Sequence, residues 1–213
     1  IYSQFWNIEL AKKITKDKKA DLIYSANTLS HIKNFNEIFK AIKYSLSDNG
    51  ILILEDPSLL ECVKKVAYDQ FYCEHLYVFS TISLQKILDN FQLEIFDIEN
   101  ISTHGGSNRY YIKKRTNSIH KITRKVKIEV SKETKYGLKN FVTYKKFAKK
   151  VSISRSKLLN ILNNLKKNKK KVIGYGATAK SCTVLNYCGV DRGLIEYFYD
   201  TTSFKVNKYL PGS

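Results

Sequence analysis

Apolar residues recur at helical spacing near the start of the chain, where Phe5, Ile8, Leu10, Ala11 and Ile14 predict a helix over residues 4–16. The short run ADLIYSAN (20–27) turns polar at its tip, as the end of a buried parallel strand does. Phe35, Ile38, Phe39, Ile42 and Leu46 fall at i, i+3, i+4, i+7 and i+11, one face of a second helix. SDNG (47–50) is expected to stop that helix, with Gly50 past its end. ILILE (51–55) predicts a second buried strand, closed by Asp56-Pro57. Strand, helix, strand in this rhythm implies a parallel sheet with right-handed crossovers.

Further on, STISLQKILDNF predicts a helix capped by Ser80 or Thr81. LEIFDIENI and NRYYIKKR alternate as strands. STHGGS between them is too short for a crossover helix, so the pair is expected to be antiparallel. Two parallel strands with helices and a closing antiparallel hairpin resemble the end of a class I methyltransferase sheet. Residues 118–170 carry no strong strand signal and read as two or three helices. From 171 the pattern resets: KKVIGYGATAKSCTVLNYCG is strand, Gly-bearing turn and helix, and GLIEYFYD is the next strand. The fold class is therefore α/β. The expected division is the C-terminal half of a Rossmann-like sheet over 1–115, a basic helical connector over 116–170, and the start of a second Rossmann-like domain over 171–213.

Charge sharpens this division. Of the formal +18, +16 falls between Lys121 and Lys171, where eighteen Lys and Arg face only Glu129 and Glu133. Such a segment can bind nucleic acid, but its basic residues alternate with Leu, Ile, Phe and Val as on solvated amphipathic helices. The expectation is no nucleic-acid partner, with a nucleic-acid-binding module as a rival. No apolar run approaches the ~20 residues of a membrane span. The opening IYSQFWNIEL lacks the regions of a signal peptide. Cys62, Cys73, Cys182 and Cys188 form no CxxC pair and read as free thiols, with no metal-ligand pattern. A cytoplasmic monomer without a membrane partner is expected. With no methionine, an opening inside an amphipathic pattern and an end just after a strand-like run, the chain reads as an internal piece of a longer protein.

Four stretches carry candidate chemistry, each with a plainer reading beside it. In SANTLSHI, Asn27 and His31 sit just beyond a strand, where ligands of open α/β sheets bind; His31 also suits an exposed helix start. In FYCEHLYVFS, His75 can take a proton near neutral pH, Glu74 can orient an imidazole, and Tyr72 can donate to an oxyanion; the same tetrapeptide also suits a polar turn. In THGGSNR, Gly105 and Gly106 allow close backbone approach to a ligand near His104 and Arg109, and equally serve a hairpin. GYGATAK, with Gly174, Tyr175, Gly176 and Lys180, opens a helix where a phosphate can sit. It fits G-x-G-x-x-A, and read as a dinucleotide site it makes Asp200 the ribose partner. A ligand-free turn fits it as well.

Taken in order and spacing, SANTLSHI, FYCEHLYVFS, STHGGSNRYYI, GYGATAKSCTVLNYCGV and YDTTSFKVNKYLPG resemble segments of the S-adenosylmethionine-dependent sugar C-methyltransferases. These enzymes methylate carbon on nucleotide-linked keto-deoxysugars. The resemblance runs along essentially the whole chain. It implies an N-terminal region holding structural zinc, a methyltransferase domain and a Rossmann-like C-terminal domain, this chain starting inside the second, lacking the Gly-rich cofactor loop, and being inactive alone. It implies His75 as general base, Tyr72, Glu74 and His31 as its polar companions, and Asn27 beside cofactor and substrate. His104, Arg109, Gly174, Tyr175, Gly176 and Lys180 would contact a dTDP-linked sugar. Cys73 stands where the family commonly has His. The alternative is an NAD-type oxidoreductase built on the GYGATA turn.

Overall fold

The computed structural model describes residues 1–212, which divide into two compact units. The first comprises Ile1–Lys64 and Glu74–Lys139, and the second Lys65–Cys73 with the chain from Asn140 onward.

The first unit is built on a mixed four-stranded sheet of β1 (Ala20–Ala26), β2 (Leu46–Pro57), β3 (Leu93–Ile101) and β4 (Ser107–Lys114), in the order β1-β2-β4-β3. β1 and β2 are parallel, as the strand–helix–strand rhythm requires. β4 inserts between β2 and β3, antiparallel to both. The expected antiparallel hairpin is therefore present. Helices α1 (Ile8–Ile14), α2 (Phe35–Ser45), α3 (Leu59–Lys65) and α4 (Thr81–Asp89) share its chain segments, and α5 (Arg124–Tyr136) follows the sheet. The core joins Phe39, Ile42 and Leu46 to Leu52, Leu54, Leu84, Leu88, Leu93 and Ile112, the apolar positions that the periodicity selects. Ser80 is the cap of α4: its hydroxyl accepts from Ser83 N, and Ser83 returns a bond to Ser80 N.

Two local expectations change. The helix expected over 4–16 is confined to α1, because Asn7 caps it at Leu10 N and only Leu10 and Ala11 are buried on it; Phe5 is exposed. SDNG does not act as a helix stop. Leu46 is already extended and pairs with Ala20, and the ladder resumes only at Leu22 with Ile51, so Ser47–Gly50 bulge out of it. Gly50 is needed for close approach, since a Cβ there would lie 2.6 Å from the Ala20 carbonyl oxygen.

In the second unit, α6 (Phe141–Lys167) and α7 (Ala179–Cys188) accompany a parallel pair, β5 (Gly174–Tyr175) and β6 (Phe198–Tyr199). Leu162, Cys188 and Val190 form its buried centre. Tyr68 closes the segment 65–73 onto α7, with its hydroxyl 3.7 Å from Cys188 Sγ and its ring beside Tyr187. No helix among the described residues is long and apolar enough to cross a membrane.

Candidate active site

The carboxyl end of β1 leads into a left-handed residue, Asn27 (φ 50°), whose N–H donates to the Glu55 carbonyl at 2.7 Å. A short 3-10 turn, Leu29–His31, follows. This turn presents His31 to solvent and buries Ser30. His75 meets it: the two imidazole centroids lie 5.0 Å apart with the rings 80° from parallel. Residues 44 apart in sequence are thus adjacent in the first unit. The Tyr77 N–H donates to the Ser30 carbonyl at 3.3 Å, and the Leu59 N–H donates to the Phe79 carbonyl at 2.8 Å, which fixes the path of the chain after His75. Glu74 is exposed. Within FYCEHLYVFS the division between units falls after Cys73, so Glu74 and His75 belong to the first unit, and Tyr72 and Cys73 to the second.

The hairpin between β3 and β4 ends at the same edge of the sheet. Ser107 pairs with Pro57, and the Ser58 N–H donates to the Gly106 carbonyl at 3.0 Å. Gly105 (φ 84°) and Gly106 (φ 135°) take backbone angles that side chains rarely allow. His104 stands exposed at the tip. Arg109 is engaged across the sheet: its Nε and Nη2 both donate to Glu55 Oε2 at 3.0 Å, and its Nη1 donates to Glu99 at 3.2 Å.

In the second unit, Gly174 begins β5 where a Cβ would fall within 2.0 Å of the Phe198 ring. Tyr175 is exposed, and Gly176 (φ 88°) makes the turn into α7. Lys180 lies half-buried in the first turn of that helix. The turn's amides are largely committed to the chain itself. Thr178 and Ser181 form a capping box, and Ala177 N–H donates to Asp200 Oδ2 at 2.8 Å. Asp200 also accepts from Thr202 N–H and from Lys205 Nζ, and the Thr202 bonds first, then Lys205, hold its carboxyl well below the usual carboxylate range. The carboxylate that the oxidoreductase alternative reserves for a ribose is already engaged within its own unit.

Pattern reading passed over Asp56 and Ser30. Asp56 is 1% exposed; its Oδ1 accepts from Ser30 N–H at 3.3 Å, while its Oδ2 has no partner among the described residues. Burial raises its carboxyl to about 6; neighbouring Ser30, whose N–H bonds Oδ1, pulls it down and the Glu55 carboxylate pushes it up. Ser30 Oγ and Asn27 Oδ1 are likewise buried and unpaired. An acid at the carboxyl end of a buried parallel strand was the available signal, hidden because Asp56-Pro57 reads as a strand terminator. Among the described residues no group of three His, Cys, Asp or Glu is placed to hold a metal ion.

Known proteins resemble this chain along both units. Residues 2–98 match a methyltransferase domain model. C-methyltransferase NovU of Streptomyces niveus is 28% identical over 199 residues, covering 93% of this chain and 47% of that protein. The chain thus spans about half the length of the curated relative it matches. A SAM-dependent methyltransferase from Anabaena variabilis aligns over 52% of this chain and 56% of its own, at 16% identity and a TM-score of 0.37. Residues 102–213, more than half of the sequence, match the model of the C-methyltransferase C-terminal domain, and the chain belongs to that family.

Proposed function

We propose that the full-length protein methylates a carbon beside the ketone of a nucleotide-linked keto-deoxysugar, with S-adenosylmethionine as methyl donor. The observation that carries this reading is the meeting of His31 and His75 beyond the carboxyl end of β1, in a chain of the C-methyltransferase family. A carbon next to a ketone is acidic enough for a positioned imidazole to deprotonate. His75 takes that proton, and the electron pair moves onto the ketone oxygen. His31, whose ring centroid lies 5.0 Å from that of His75, is the proposed donor to the developing oxyanion. Tyr72 is the other candidate donor, on the resemblance alone. Glu74 adjoins His75 in sequence and is the proposed orienting group for its imidazole.

The cofactor supplies, when bound, an electrophilic methyl on sulfonium. Asn27 fits a polar group of such a molecule, since its buried Oδ1 stands unpaired at the strand-end edge. His104, Arg109, Gly174, Tyr175, Gly176 and Lys180 are proposed to hold the sugar nucleotide, with thymidine diphosphate the carrier that the resemblance implies. Arg109 would do so with its guanidinium also paired to Glu55 and Glu99. Structural zinc belongs, in this reading, to an N-terminal region outside this sequence.

The test uses the full-length protein. His75→Asn is expected to lower methyl transfer by about a thousandfold or more, with binding of S-adenosylhomocysteine unchanged in calorimetry. Turnover retained in that variant removes His75 as the base.

A further inference from the structure

We infer that Asp56 is a positioning residue of this site, holding through Ser30 the two segments that carry His31 and His75. Three observations converge. Asp56 Oδ1 accepts from the N–H of Ser30, the central residue of the turn that ends at His31. The carbonyl of the same Ser30 accepts from Tyr77 N–H, two residues beyond His75. Asp56 and Ser30 are each 1% exposed, so neither bond exchanges readily with water. One carboxyl at the end of β2 therefore supports one histidine turn directly and the other stretch at one remove.

A purely structural anchor here would be cheaper with its polar atoms satisfied. Instead Asp56 Oδ2, Ser30 Oγ and Asn27 Oδ1 are all buried without a partner among the described residues. The register, Ala26 opposite Glu55, brings Asn27 level with Asp56, so the three lie at one strand-end edge. An unsatisfied buried polar group destabilises the fold, and such local violations concentrate at functional sites. The paired oxygen, Oδ1, is the one that reaches the histidine turn. Asparagine keeps that acceptor; alanine removes it.

Two readouts test this in the full-length protein. Asp56→Ala is expected to lower kcat about 10- to 100-fold, with KM for cofactor within about threefold, as displacement of a reacting group by roughly 1 Å does. It is also expected to shift the ring resonances of His31 and His75 in NMR. Asp56→Asn is expected to restore kcat to within about threefold and to return both resonances. If Asp56→Ala does not fold, Asp56→Ser, whose hydroxyl is too short to reach Ser30, takes its place with the same expectation. The inference is overturned if the shortened variant keeps wild-type kcat and unmoved resonances, or if Asn loses as much as the shortened variant. The kinetic readout rests on the C-methyltransferase reading and the resonance readout does not. If the wild-type protein transfers no methyl group, the resonances alone decide the role of Asp56.

Discussion

At the scale of the residue, Asp56 couples the site to stability. Burial raises its carboxyl from the ordinary 3.8 to about 6. The protonated form is then favoured by folding, so its stabilising effect is full below 3.8 and is lost as pH rises through about 6. A rise of this size is worth about 3 kcal/mol. In denaturant unfolding, Asp56→Asn should therefore gain about 3 kcal/mol relative to wild type between about pH 3.5 and about pH 7. A difference that stays constant across that range would show that the carboxyl titrates normally. His31 was legible as a candidate because it lies beyond a strand end, and His75 because its imidazole, in a cluster of polar groups, suits proton transfer. Asp56 was not, because its importance comes from what closes over it.

At the scale of the element, Glu133 shows how a helix end is finished from a distance. It lies on α5, fully buried, and its two carboxylate oxygens accept from Thr81 and Ile82 N–H at 2.7 and 2.9 Å. These are first-turn amides of α4, which no intrahelical bond satisfies. Burial pushes the Glu133 carboxyl up, opposed by the Ile82 and Thr81 N–H groups. Tyr110 continues the polar chain: its hydroxyl lies 3.5 Å from Thr81 Oγ1 and accepts from Asn108 Nδ2 at 3.1 Å. Glu133→Ala orphans two amides and leaves a cavity, and is expected to cost about 2–4 kcal/mol in equilibrium unfolding. A loss below about 1 kcal/mol would mean that water replaces the carboxylate. In sequence, Glu133 was one of two acids in a basic stretch, with nothing local to mark it as buried. The Ser80 cap of the same helix was readable, because its partner is three residues away.

At the scale of the whole molecule, the basic stretch is not one structural object. α5 falls in the first unit and α6 in the second, with the division after Lys139. The two ligand classes raised by the sequence separate in one titration. The full-length protein is expected to bind S-adenosylhomocysteine and to give no heat with NAD. NAD binding with no response to S-adenosylhomocysteine would reverse the functional reading. The internal commitment of Asp200 to Ala177, Thr202 and Lys205 supports the first outcome.

What the amino-acid order determined by itself is what short-range periodicity encodes. It set the presence of the four strands of the main sheet, though not the start of β2, along with the parallel relation implied by strand–helix–strand rhythm, the antiparallel hairpin implied by a short glycine turn, and the turn into α7. Tertiary structure alone decided that β4 enters between β2 and β3, that Ser47–Gly50 bulge beside Ala20 instead of ending a helix, and that His31 meets His75. It also decided that Asp56 and Glu133 are buried and partnered across long stretches of chain. The physical reason is the range of the forces. Helix and strand patterns repeat within a few residues, whereas desolvation of a carboxyl depends on segments that only folding brings together.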